Sequence, residues 1–428
     1  MHLVSPHRCR RSALLCCVTL VVCCLASPSS WAARLVDYEH ASRVGLQRAW
    51  FAQIEVDRAR DRVDHWVLHD QRLYAATSGG KLHVLNTETG ETVWKTRIGQ
   101  RDRTLLQPAA SREQVAVING SQLILLDGND GRLLWSRQLD GAPAAGPALN
   151  EKYVFATLLN GRIAAYRIDE PNEPPWYYQS VGHVYLPPTA SATVVTWSND
   201  RGYFYVGNAD ELRVMFRMET GDQIATTPAT ITPHWYVAAM DGYVYSIDEL
   251  SSHKQWRFST GASITSKPVA AAGMVFVASG KSRLHAIDAV TGKAIWQAEN
   301  VLQFVSLGQH HVYGADQRGR LTLLDRQTGN LMNRLELAAD TTPIINDRSD
   351  RIFLVDPYGL VQCLHEVGTD QPIYYRQQMV DEEGDQPSSP VEENPFAAEP
   401  ATDEPADDAD DQPDEEENPF DDFDQFGE

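Results

Sequence analysis

The chain has 428 residues with 37 Lys and Arg against 58 Asp and Glu, a formal net charge of −21. Everything through Arg376 balances at 37 against 37, so the whole excess of negative charge lies beyond it. A neutral body with an acidic tail is a poor partner for nucleic acid or anionic lipid, and both are set aside.

Residues 1–33 read as a signal peptide for secretion. Arg8, Arg10 and Arg11 precede an apolar run over 13–26, and Ser30-Trp31-Ala32 offers a small-x-small cleavage site. The run is short for a spanning helix, so an exported mature chain with no transmembrane segment is expected. Cys9, Cys16, Cys17, Cys23 and Cys24 all lie here, which leaves Cys363 as the sole mature thiol, expected as a buried strand residue, and excludes an internal disulfide. Lipid attachment needs a small residue just before the modified Cys, whereas Leu15, Cys16, Val22 and Cys23 precede those of the apolar run.

Residues 34–376 repeat one phrase: an apolar strand, a Gly-containing turn, a second apolar strand, then Asp-x-x-Thr-Gly and Trp. It is clearest in the copies ending at Trp94, Trp135 and Trp296. Weaker copies end at or near Trp176, Gly221, Trp256, Gly329 and Gly368, making eight at a period near 40 residues. Four short strands per unit at that period predict an all-β fold, an eight-bladed β-propeller of four-stranded antiparallel blades. Leu82 and Val84 alternate with His83 and Leu85, as in strands covered on both faces, and no segment shows a helical stripe. A lone strand around Trp50 resembles the outer strand of a repeat and is expected to close the ring on the last blade, a place for which residues 369–378 compete. Seven blades is the alternative if 351–375 packs outside the ring.

Gly90, Gly131, Gly221, Gly292 and Gly329 are expected to close a tight turn, and Asn86, Asp127, Asp248, Asp288 and Asp325 to open it by bonding backbone amides two residues on. The Trp four residues after the glycine is expected to wedge between blades. Ala225 and Asn333 stand at that place in two copies, which should dock more weakly. The irregular stretch 169–200 holds Pro171, Pro174, Pro175, Pro187 and Pro188 and lengthens one connection. Its Trp176, Tyr177 and Tyr178 are the expected partner-binding residues of the ring, with an insertion packed between two blades as the alternative. Residues 377–428 are expected to form a disordered acidic tail, too poor in apolar residues to offset its ordering entropy. Within it Glu392-Glu393-Asn394-Pro395-Phe396 recurs as Glu416-Glu417-Asn418-Pro419-Phe420. These two aromatic hooks are expected to engage a short-motif receptor bivalently, with a purely solvating tail as the alternative.

Taken from His285 to Trp296, as HAIDAVTGKAIW, the phrase resembles the repeat of the quinoprotein-like, pyrroloquinoline quinone (PQQ) repeat β-propeller superfamily, over roughly residues 45–376. Within it the length and copy number are similar to the BamB family, propeller subunits of the bacterial outer-membrane β-barrel assembly machinery. That resemblance implies a non-enzymatic scaffold for protein–protein interaction in the periplasm or on the periplasmic face of the outer membrane. Its partners would be envelope proteins, β-barrel assembly components among them. The superfamily's enzymes imply the alternative of a PQQ-dependent oxidoreductase, and a carbohydrate or cell-surface binding module is a third reading. Those enzymes use Ca²⁺ ligands, a catalytic carboxylate and usually an adjacent cysteine pair. The mature chain has one Cys, and His310-His311 lacks metal-ligand spacing, so no cofactor, metal or catalytic residue is expected.

Overall fold

A computed structural model describes residues 35–375, apart from 212 and 252. The leader 1–33 and the tail, with both Asn-Pro-Phe hooks, lie outside the described residues. Eight four-stranded antiparallel sheets follow one another as blades 1 to 7 (63–97, 109–138, 148–179, 189–219, 229–259, 269–299 and 303–335) and blade 8, built from 342–366 and 46–53. The expected eight-bladed propeller is therefore what the chain forms. Middle strands such as Tyr153–Thr157 and Val194–Ser198 are buried throughout, because a blade is covered on both faces. Outer strands such as Lys254–Ser259 alternate exposed and half-buried, because one side meets water.

Closure occurs as expected: Leu46–Gln53 runs antiparallel to Leu360–Glu366, from Leu46 opposite Glu366 to Gln53 opposite Leu360. The competing C-terminal segment instead crosses blade 8, bridging Tyr374 to Ser349. Eight apolar clusters fill the seams between neighbouring blades. The last joins Leu73, Ala75 and Leu85 of blade 1 to Val355 and Val361 of blade 8. One element escaped the strand pattern, a six-residue helix at Tyr38–Arg43 capped by Asp37, too short to show a stripe.

The turn residues act as their chemistry requires. Asn86, Asp127, Asp248, Asp288 and Asp325 each accept at least one backbone N–H two or three residues on. Gly90, Gly131, Gly292 and Gly329 have φ between 69° and 74°. A second constraint falls on the same four. Each lies beneath the Trp of the preceding blade, respectively Trp50, Trp94, Trp256 and Trp296, and an added Cβ would sit 2.4–2.5 Å from the indole. The indole N–H then donates across the seam, Trp94 Nε1 to the Gly128 carbonyl at 2.8 Å and Trp296 Nε1 to that of Arg326 at 2.9 Å. Seven outer strands bulge at the residue before this position, so that Val93, Leu134 and Ile295 point outward and the next ring is aimed at its neighbour. The bulge also makes the exposed edge a poor template for pairing with another chain. Blade 3 has no bulge and opens its outer strand after Pro174 and Pro175, which lack the N–H that pairing needs.

Two sequence expectations require correction in blade 4. Gly221 does not close its turn, and Ala225 is not its docking position. Asn208 opens that turn, accepting from the N–H of Asp210 and Glu211, and Phe216 pairs with Val206 where other blades place Trp. Met215 is the bulged residue of that outer strand, and Val206 stands where blade 8 places Cys363 opposite Trp50. The Met218-Glu-Thr-Gly221 run mimics the repeat phrase one strand too late because the real turn lacks glycine. Asn333 does occupy the docking position of blade 7. Val36, Ala41 and Leu46 fill the seam it faces, between blades 7 and 8.

Candidate functional site

The seam between blades 3 and 4 departs furthest from the repeat. Residues 168–175 replace the usual five-residue turn between the third and fourth strands, confirming the lengthened connection. Arg167 gathers its carboxylates, at 3.2 Å from Asp169 and 3.1 Å from Glu170. Trp135 still reaches across and donates to the Ile168 carbonyl at 3.0 Å. Beyond the prolines, Trp176 lies edge-on to Tyr153 at 5.4 Å and to Tyr178 at 5.0 Å. Tyr178 packs on Trp197 at 5.0 Å, and Trp197 stacks flat on Tyr205 at 5.1 Å. This aromatic ladder takes over the docking role of Trp on glycine, since blade 4 has no turn glycine to receive an indole.

The three aromatics expected to face a partner therefore divide. Tyr178 is buried in the seam, its hydroxyl donating to the Glu211 carbonyl at 3.1 Å, and burial raises its pKa. Trp176 is half-buried in the same ladder. Tyr177 is partly exposed; its hydroxyl donates to Asp140 at 2.5 Å, and burial with that carboxylate pushes its pKa up to about 12. Packing between blades thus accounts for Tyr178 and most of Trp176.

The exposed apolar surface begins a few residues later, in the linker to blade 4. Val184 is buried, while Val181 and Tyr185 are 48% and 52% exposed. Antiparallel hairpins alternate between the two faces of the ring, so this linker shares a face with the turn carrying Leu159, 42% exposed. The backbone there is held from both sides. Ser180 N–H donates to the Gly161 carbonyl at 2.8 Å, and the Val181 N–H to the Tyr205 hydroxyl at 3.2 Å. Asn199 donates to the Val181 carbonyl, and Asp200 accepts the His183 N–H at 3.0 Å and faces its Nδ1 at 3.2 Å. The His183 ring stacks on Tyr185 at 5.9 Å. Gly182 is required, with φ 101° and a hypothetical Cβ only 2.5 Å from Asp200 Oδ1. Elsewhere exposed apolar residues such as Leu134, Ile295 and Met332 recur on outer strands around the ring, whereas Val181 and Tyr185 stand together on one linker, on the ring face that also carries Leu159. Sequence reading missed them because three tyrosines and tryptophans beside prolines are the louder signal; the alternation in Val181-Gly-His-Val-Tyr185 was the available cue.

Catalytic geometry is sparse. Among the described residues no group of three His, Cys, Asp or Glu side chains converges to hold a metal ion. His310 and His311 both donate backbone N–H groups to Glu366, at 3.2 and 3.1 Å, and serve the seam between blades 7 and 8. His83 and His285, at equivalent strand positions, are buried and separated by several blades.

Fold and repeat together define a PQQ-repeat β-propeller. Within that class the chain belongs to the PQQ_2 family, described as outer membrane protein assembly factor BamB, which matches residues 43–170 and 213–382. It is 25% identical over 216 residues to outer membrane protein assembly factor BamB of Kangiella koreensis, a match covering 44% of this chain and 54%, about half, of that relative. To the protein of the same name from Shewanella oneidensis it is 20% identical over 324 residues, 66% of this chain and 79% of the other. Among solved structures, BamB from Moraxella catarrhalis superposes with a TM-score of 0.58 at 17% identity, covering 76% of this chain and 98% of that one. The computationally designed Ika8 protein matches nearly as well, at 0.56 and 14% identity over 72% of this chain and 96% of its own, so these likenesses speak for the fold. The family match breaks between 170 and 213, so the patch at Val181 and Tyr185 lies outside the matched residues.

Proposed function

We propose that the chain is a non-enzymatic docking scaffold of the cell envelope that serves outer-membrane protein assembly by holding a partner against Leu159, Val181 and Tyr185. Family membership supports the assembly role. The observation that carries the site is an apolar patch whose backbone is clamped by Asn199 and Asp200, so that binding requires little ordering. Rigid display of a loop by the ring is how a propeller recognises a protein without chemistry. The tail hooks at Asn394-Pro395-Phe396 and Asn418-Pro419-Phe420 engage a separate short-motif receptor in the same reading.

Affinity capture from native envelope extract tests both levels. The wild-type chain is expected to recover β-barrel assembly components, and Val181→Asp with Tyr185→Ala to lose them while melting at the wild-type temperature. Capture unchanged in the double variant would overturn the patch; absence of assembly components from the wild-type eluate would overturn the assembly role.

A further inference from the structure

The opposite face of the ring carries a cleft of about 510 Å³ that the scaffold reading does not use. Its walls come from turns between the first and second strands of three successive blades: Arg348 from blade 8, His69 to Arg72 from blade 1, Ser111 and Arg112 from blade 2. Tyr374 and Tyr375 close one side. They are fixed there by Arg351, which donates to the Thr369 and Asp370 carbonyls at 2.9 and 2.7 Å, and by Asp350, which accepts the Ile373 N–H at 3.1 Å.

Three arginines and one carboxylate, Asp70, line this space. Arg112 is exposed and its side chain has no hydrogen-bond or ion-pair partner among the described residues. Arg348 Nε stands 3.4 Å from Asp347, which lies outside the lining. Asp70 Oδ2 is 3.6 Å from His69 Nε2, and burial lowers the pKa of that imidazole and favours its neutral form. The independent mark of a ligand is Tyr74. This residue is wholly buried, lines the cleft, and its hydroxyl proton meets no acceptor among the described residues. Arg72 is close enough to donate to that hydroxyl's oxygen while also turning its guanidinium across the seam to the Gly128 carbonyl and to Asn129 Oδ1, the latter at 3.1 Å, but a guanidinium has no acceptor and leaves the hydroxyl proton unused. A buried donor left unmade is costly, and a bound acceptor would recover that cost.

We propose that this cleft binds a small ligand through an oxyanion, carboxylate or phosphate, held by Arg112 and Arg348 with the Tyr74 hydroxyl as donor. A guanidinium offers paired donors that match either group. The volume suits a small molecule rather than a folded domain. Two probes distinguish the sources of that chemistry, inorganic phosphate and citrate, titrated calorimetrically into the full chain at an ionic strength held constant with chloride. At least one is expected to bind saturably, and Arg112→Gln and Arg348→Gln each to weaken it about tenfold or more. Arg213→Gln, an exposed arginine on blade 4, is expected to bind as wild type. Tyr74→Phe should weaken binding while leaving the melting temperature unchanged or higher, which a purely structural hydroxyl would not do. Heats no larger than the chloride background, equal binding by wild type and both cleft variants, or an equal loss in Arg213→Gln would each overturn the proposal. Partner capture by Arg112→Gln should be unchanged, which separates failure here from failure of the docking patch.

Discussion

Replacing Gly131 by Ala tests the reading that the turn glycine is demanded by the neighbouring blade as much as by its own backbone. Gly131 has φ 72°, where a Cβ costs about 1–2 kcal/mol, partly offset by roughly 0.4–1 kcal/mol from the stiffer unfolded chain. The new methyl would also stand 2.4 Å from Trp94 Cε3, well inside the ~3.5–4.0 Å of ordinary carbon contact. Trp94 is buried, and its Nε1 donates to Gly128 in the same turn, so it cannot retreat without losing that bond. Overpacking adds about 1–3 kcal/mol, and a total of roughly 3 kcal/mol is expected. Gly319 supplies the control: its φ is 74°, it is exposed, and nothing lies within 4 Å of its added Cβ, so Gly319→Ala should cost only about 1 kcal/mol. Urea unfolding followed by Trp fluorescence measures both. Equal shifts of midpoint at unchanged slope would show that backbone strain alone explains the glycine and that the Trp wedge is not tightly packed.

Acidification should loosen the ring through its buried imidazoles. Burial holds His285 at about 4 and lowers His83, both below the 6.5 of a free imidazole, so the unfolded chain takes up protons first. The stability contributed by neutral His285 is full above pH 6.5 and is lost as pH falls towards 4. That loss is worth roughly 1–2 kcal/mol after allowing for the open groove it borders, and His285→Leu should flatten the pH dependence of the urea midpoint over this window. An identical slope in the variant would remove His285 from the explanation. Burial also pushes the Cys363 thiol up to about 12, so in a chain lacking residues 1–33 a thiol reagent at neutral pH should label it only on unfolding; rapid native labelling would contradict its burial. Glu366→Gln should lower the melting temperature, because the carboxylate accepts from His310, His311 and Tyr313 across the seam between blades 7 and 8, and an unchanged melting curve would show that seam indifferent to it.

Much of the ring was legible in the chain because its information is local and repeated. Asp288, Gly292 and Trp296 sit within one hairpin, so strand, turn and docking residue are read from a dozen consecutive letters, and eight copies force a closed array of blades. The outer strand at Trp50 betrayed ring closure for the same reason. Reading slipped in blade 4, where the turn lacks glycine and Met218 to Gly221 imitates the phrase. The sequence by itself determined the blades and their hairpins. Only the tertiary structure decided what each blade touches. It put Trp94 on Gly131, buried Tyr178 while exposing Val181 and Tyr185, and brought Arg348 to the same cleft as Arg72 and Arg112. Those outcomes depend on packing between blades distant in sequence, and neither the period of a strand nor the chemistry of a turn specifies which neighbour's surface will meet it.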